Sequence, residues 1–209
     1  MIEAGPFGAW LEQARAVLRG EAGAQVPCGD CTGCCTSGYS VQLRPTDAPA
    51  LAVIPAELLV RAPGFAPGQL TMPARIDGHC PMLQSGSCSI YARRPQTCLD
   101  YDCRIFAAAG LDAGGADKAV INRRVRAWHF NYESAVQERA HEAVRAAAHF
   151  IRDHPAVFAA QGIRVPTSTM GIAVLAIKSH AALLEPSLAD ATDEERARAM
   201  IAQGRGFDA

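Results

Sequence analysis

The chain has almost no excess of charge: 20 Lys and Arg against 21 Asp and Glu leave a formal net charge of -1 over 209 residues. No global field is available to draw in nucleic acid or an anionic membrane surface. It also lacks a secretory leader pattern. The first residues, MIEAGPFGAWLEQARAVLRG, carry Glu3 and contain no continuous apolar h-region or small-residue cleavage site. The longest apolar stretch, MGIAVLAIKSHAALL, is interrupted by Lys178 and His180 and is too short to span a bilayer. These absences predict a cytoplasmic protein with no membrane partner. There is no Walker-type phosphate loop, no G-x-G-x-x-G opening a βαβ unit, no G-x-S-x-G elbow, no H-E-x-x-H, no internal repeat and no low-complexity tail. Any catalysis must therefore use a site without a familiar nucleotide or hydrolase motif.

What the chain does have is cysteine. Eight are present, in a chain long enough to bury an ordinary core without covalent staples. They fall into two groups: C-x2-C-x2-C-C at Cys28, Cys31, Cys34 and Cys35, and C-x7-C-x9-C-x4-C at Cys80, Cys88, Cys98 and Cys103. Two-residue gaps let successive thiolates turn toward one point, a spacing shared by zinc sites and iron–sulfur ligation. Gly29 and Gly33 fit such a loop, where backbone passes close to a metal. Adjacent Cys34 and Cys35 do not, because neighbouring side chains point in different directions, so one of them is expected to face a second site or be free. Eight thiolates divide into two four-thiolate sites, or into one cluster and a reactive group.

The first three spacings and Cys80-Pro81 favour iron–sulfur; the fourth spacing does not. A C-x2-C paired with distant cysteines on a hairpin favours zinc, although a second C-x2-C is missing. A thiol shuttle through Cys34 and Cys35 lacks a thioredoxin-like context. Arg93, Arg94 and Arg104 flank the second group and can offset its charge. His79 adjoins Cys80 but shares the directional problem of neighbours. Asp100 and Asp102 read as turn caps or partners of the arginines, and His129, His141, His149, His154 and His180 as helix residues. The basic run NRRVRAW, Asn122 to Trp128, reads as a solvated helix face, so nucleic acid is not an expected partner. A protein or small-molecule partner stays unspecified.

Along the chain, apolar positions at Trp10, Ala14, Val17 and Leu18 predict a first helix over Ala9 to Leu18, with Pro6 ahead and Gly20 behind. A loop-rich module with short strands such as YSVQL and CSIY follows from Cys28 to about Phe106, with short helices broken by Pro45, Pro49, Pro55 and Pro63. A hairpin turning at Gln84 to Ser87 would bring Cys80 and Cys88 together. AAAGLDAGGAD reads as a linker. Val136, Ala140, Val144, Ala147 and Ile151 form one helical stripe. Further helices are expected from about Ser168 to Leu184 and Asp193 to Gln203, the last opening with a Thr192–Glu195 capping box and stopped by Gly204.

CGDCTGCC, followed by GHCPMLQSGSCSIYARRPQTCLDYDC, resembles the YkgJ-type cysteine-cluster family, also called CxxCxxCC, a zinc- or iron-chelating domain. The resemblance covers roughly Cys28 to Cys103. It implies metal binding through Cys28, Cys31, Cys34, Cys35, Cys80, Cys88, Cys98 and Cys103, with an iron–sulfur cluster (four-iron) or zinc as the cofactor. Tyr91, Arg94 and Pro95 match motif positions of the family; Tyr91 can pack over the site, and Arg94 can donate to a thiolate or a neighbouring carbonyl. LDYD stands between Cys98 and Cys103 where such proteins often carry a basic residue and an aromatic-proline pair.

The expected architecture is mainly α, with a small loop-rich cysteine module containing a short β-hairpin. Residues 1–112 would hold the first helix and the metal module, and residues 113–209 the helices packed on it, covering a metal-organised core. Iron–sulfur binding, with possible cluster-dependent or redox chemistry, is the first reading. A structural zinc module presenting a helical partner surface is the second.

Overall fold

The computed structural model describes residues 1–24, 26, 28–61, 64 and 66–209, and helix prevails over strand throughout it. The strands are β1 (Ile2–Pro6), β2 (Val41–Leu43), β3 (Val60–Arg61), β4 (Leu70–Met72), β5 (Leu83–Gln84), β6 (Ser87–Cys88) and β7 (Trp128–Asn131). The α-helices are α1 (Phe7–Leu18), α2 (Ala48–Leu51), α3 (Gln96–Asp100), α4 (Arg104–Ala109), α5 (Ala119–Ala127), α6 (Ala135–Asp153), α7 (Pro155–Ala160), α8 (Thr169–Ser179) and α9 (Asp193–Asp208). Two compact units result, both discontinuous in sequence: Met1–Ala22 with Cys103–Ala113 and Val125–Ala209, and Gly23–Asp102 with Gly114–Arg124. Among the described residues no helix is long and apolar enough to cross a membrane.

The first unit is helical around one parallel strand pair, β1 with β7. Their register slips between Glu3 and Gly5, and Gly5 takes a φ of +91° that a side chain would disfavour. Buried Arg104 donates Nη1 to the Ala4 carbonyl at this bulge, 3.1 Å away. The apolar stripe of α6 buries Val144, Ala147 and Ile151 as expected, while Val136 is exposed. The stripe packs on α8, where Ala173 and Ala176 are fully buried; small side chains let the two backbones approach.

Several boundaries differ from the sequence reading, each for a packing reason. AAAGLDAGGAD is not a free linker: Ala108 and Ala109 are buried in α4, Gly110 caps it at φ +66°, and Leu111 and Ala113 are buried beyond it. α9 runs through Gly204 to Asp208. Its last turn is held by the Phe207 ring, which lies 4.9 Å from the Arg15 guanidinium carbon and 5.3 Å from Lys178 Nζ, and by the 2.6 Å Lys178–Asp208 ion pair. The expected helix from Ser168 is present, capped by the Ser168 hydroxyl, but its last turn, His180–Leu184, tightens to 3₁₀. His129 lies in β7 rather than in a helix.

The second unit holds the antiparallel sheet β2-β4-β3 and the hairpin β5-β6. β2 alternates as a half-buried strand should, Val41 and Leu43 inward and Gln42 outward. The hairpin turns at Ser85 and Gly86, both at positive φ (48° and 78°), as a type I′ turn requires, and it pairs Leu83 with Cys88. CSIY is a strand only at Cys88 and continues as the 3₁₀ turn Tyr91–Arg93. Pro49 sits in the first turn of α2 and Pro55 ahead of the 3₁₀ turn Ala56–Leu58, where a missing N–H costs nothing. The expected break at Pro63 lies outside the described residues.

Candidate metal centre

Seven of the eight cysteines belong to the second unit, and four of them join its apolar core. Val41, Leu43, Ala50, Ile54, Met72, Met82 and Ile90 pack together with Cys80, and Cys35, Cys88 and Cys98 lie against that cluster. Burial removes water from a thiolate and raises the cost of charging it. Burial followed by the nearby charges of Cys34, Cys80 and Cys88 therefore pushes the Cys98 thiol up to about 12. Cys28 and Cys88 are raised for the same first reason.

Two thiols move the other way. Interaction with the Cys35 thiol holds Cys34 and Cys80 below the ordinary thiol range, and the same two neighbours raise Cys35. Cys34 and Cys35 thus both interact with neighbouring thiols. The 3₁₀ turn Gly33–Thr36 winds tightly enough for both thiols to meet the Cys80 segment. The Cys80 N–H donates to the Cys35 carbonyl at 2.7 Å, and the Gly38 N–H to the Gly78 carbonyl at 2.8 Å, tying the two segments together.

Backbone amides are aimed at the sulfurs. The Gly33 N–H donates to Cys31 Sγ at 3.4 Å. The amides of Met82 and Leu83 serve Cys80, and that of Ile90 serves Cys88. An N–H two residues after the cysteine thus recurs at Cys31, Cys80 and Cys88, an arrangement that stabilises thiolate over thiol. Positive charge comes from Arg94 and Arg124, both of which favour the charged form of Cys28. Arg94 Nε donates to the Tyr91 carbonyl at 2.9 Å, and its guanidinium carbon lies 3.7 Å from the centroid of the half-exposed Tyr91 ring. The carbonyl contact is one of the two expected of Arg94.

The other candidates have local partners of their own. Cys103 lies in the first unit at the start of α4, where Trp128 Nε1 donates to its Sγ at 3.2 Å. His79 is turned toward its own loop, its Nδ1 3.5 Å from Asp77 and 3.4 Å from Arg75 Nη2. Asp100 accepts from Gln96 Nε2 at 2.6 Å rather than from an arginine. The basic run Asn122 to Trp128 is not a plain solvated face: Asn122 is buried and donates to the Gly114 carbonyl, Arg124 Nη2 donates to the Cys28 carbonyl at 2.9 Å, and Arg126 pairs with Asp112.

Two supporting residues escape motif reading. Buried Asp47 accepts from the Arg44 amide (2.7 Å) and the Gln96 amide (2.8 Å), so it caps the helix carrying Cys98 from 49 positions away. Arg124 is the other. Among the described residues no three Cys, His, Asp or Glu side chains meet around one ligating point; the thiols form a linked series. In donor chemistry, soft sulfurs with amide donors and compensating guanidinium groups, this set suits zinc or iron.

Residues 27–113 match the model of the CxxCxxCC family, described as "Putative zinc- or iron-chelating domain". No curated protein and no solved structure matches the chain.

Proposed function

We propose that this chain, whose residues 27–113 match a zinc- or iron-chelating domain, binds an iron–sulfur cluster, four-iron in type, with ligands drawn from the second-unit thiols of Cys28, Cys31, Cys34, Cys35, Cys80, Cys88 and Cys98 and the surplus open to a second metal. The observation that carries this is the gathering of Cys35, Cys80, Cys88 and Cys98 at one apolar core; with Cys34 adjoining Cys35, more thiols lie in this region than one tetrahedral zinc takes. Metal binds thiolate rather than thiol, so loading displaces thiol protons to solvent. Arg94, stacked on Tyr91, offsets the negative charge that results. A bound cluster would supply one-electron transfer.

The C-x2-C turn with its amide on Cys31 supports a second reading, a structural zinc module whose function lies in a helical partner surface. Metal analysis with a visible spectrum on protein purified without oxygen separates the two. Iron with equimolar acid-labile sulfide and a broad visible band is expected. Stoichiometric zinc in colourless protein would replace this reading with the second.

A further inference from the structure

We infer that α5 and the 3₁₀ turn Ala116–Lys118 leading into it, both beyond the matched residues 27–113, are a working part of the cysteine site: Arg124 and Ile121 of α5, with Lys118, clamp the Cys28–Gly38 loop and set how firmly it holds metal. The inference rests on the metal-binding reading above. The division of the chain places Gly114–Arg124 in the same compact unit as the seven cysteines.

The loop is fastened in two halves. Its second half is tied to the Cys80 segment by the Cys35 and Gly38 backbone bonds already described. Its first half meets α5. Arg124 Nη2 donates to the Cys28 carbonyl at 2.9 Å, and that carbonyl also accepts the Cys31 amide at 3.0 Å, so one oxygen fixes both ends of the C-x2-C turn and Arg124 fixes the oxygen.

Gly33 explains why the approach is possible. A Cβ there would lie 3.3 Å from Ile121 Cγ1 and 3.5 Å from both Ile121 Cα and Cys31 Sγ, so the turn that aims its amide at Cys31 packs directly on the helix. At the far end Lys118 Nζ donates to the Ser37 carbonyl and sits 4.3 Å from the centroid of the Tyr39 ring. Two contacts from α5 and one from the 3₁₀ turn ahead of it therefore span the loop. Donors that orient ligand residues without touching metal typically change affinity by about 10- to 100-fold when removed.

The test uses the full chain with Arg124→Met, Arg124→Lys, Lys118→Met and, as a control, Arg126→Met, whose guanidinium pairs with Asp112. Two quantities are read: the rate at which a chelator takes the bound zinc or iron, and the rate at which iodoacetamide alkylates Cys28 relative to Cys98 in reduced protein as purified. Arg124→Met should release metal roughly tenfold faster and raise the Cys28-to-Cys98 alkylation ratio several-fold. Arg124→Lys, keeping the charge and one compact donor, should fall between. Arg126→Met should match wild type.

Wild-type values for Arg124→Met in both readouts would overturn the clamp. If Arg124→Met exposes all thiols alike through unfolding, Arg124→Lys and Lys118→Met decide: selective Cys28 or Ser37-side exposure supports the clamp, and none refutes it. If wild-type protein holds neither zinc nor iron, the metal reading fails by itself, and the alkylation ratio alone decides the clamp.

Discussion

His141 shows how a single buried ring couples packing to pH. It stacks on Phe7 with 4.3 Å between centroids, meets Phe130 edge-on at 5.3 Å and places Nδ1 2.8 Å from the Tyr132 hydroxyl, while Nε2 has no hydrogen-bond partner among the described residues. Burial first, then the nearby Arg145 charge, lowers its pKa from 6.5 to about 4. The folded value is depressed, so as pH falls below 6.5 the unfolded chain takes up the proton first and stability is lost, down to about pH 4 where the folded ring also protonates. Urea unfolding should therefore show about 2 kcal/mol of stability lost from this ring across that window. His141→Gln, which keeps a hydrogen-bonding side chain but cannot titrate, should flatten that part of the profile at some cost at neutral pH. An unchanged slope in the variant would show that other groups carry the acid sensitivity.

At the scale of elements the same contrast between local and distant partners decides what could be read from the sequence. The α9 capping box is complete within four residues: the Glu195 amide reaches Thr192 Oγ1 at 3.3 Å, and the Thr192 amide reaches Glu195 Oε2 at 2.8 Å. The hairpin at Ser85-Gly86 and the α6 stripe are likewise local patterns, so spacing alone revealed them. α3 is different. It has no cap from its own flank and takes one from Asp47, and the cysteine loop takes Arg124 from 96 positions away. No periodicity encodes such pairs, and the same holds for Phe207 extending α9 past two glycines. The eight cysteines were legible as a metal-type set, but which neighbours Cys34 and Cys35 meet depends on how the 3₁₀ turn bends the backbone. Asp47→Ala should remove two hydrogen bonds to a buried carboxylate and cost about 2 kcal/mol. Hydrogen exchange should locate the damage in the amides of Gln96–Asp100, while α9 stays protected. Equal loss of protection in both helices would mean that Asp47 supports the fold at large instead of capping α3.

For the molecule as a whole, the two units have cores of different strength. The first buries long helical faces, including Val144, Ala147, Ile151, Ala173, Ala176 and Ile177. The second relies on short strands of two or three residues and a small apolar cluster that includes Cys80. So little buried area leaves a module of this size marginal unless a ligand adds to it, and a metal that binds only the folded ligand set contributes its binding energy to folding. Removal of metal by a chelator under reducing conditions should therefore strip amide protection from β2, β4, β5 and β6, while α6 and α8 remain protected and most of the helical circular dichroism survives. Thermal scans of the loaded protein should show one transition that shifts with metal and one that does not, and Cys31→Ser should abolish the first and spare the second. Joint loss of protection in both units on chelation would contradict this division of labour, because it would make the metal a requirement of the helical core as well as of the cysteine loops.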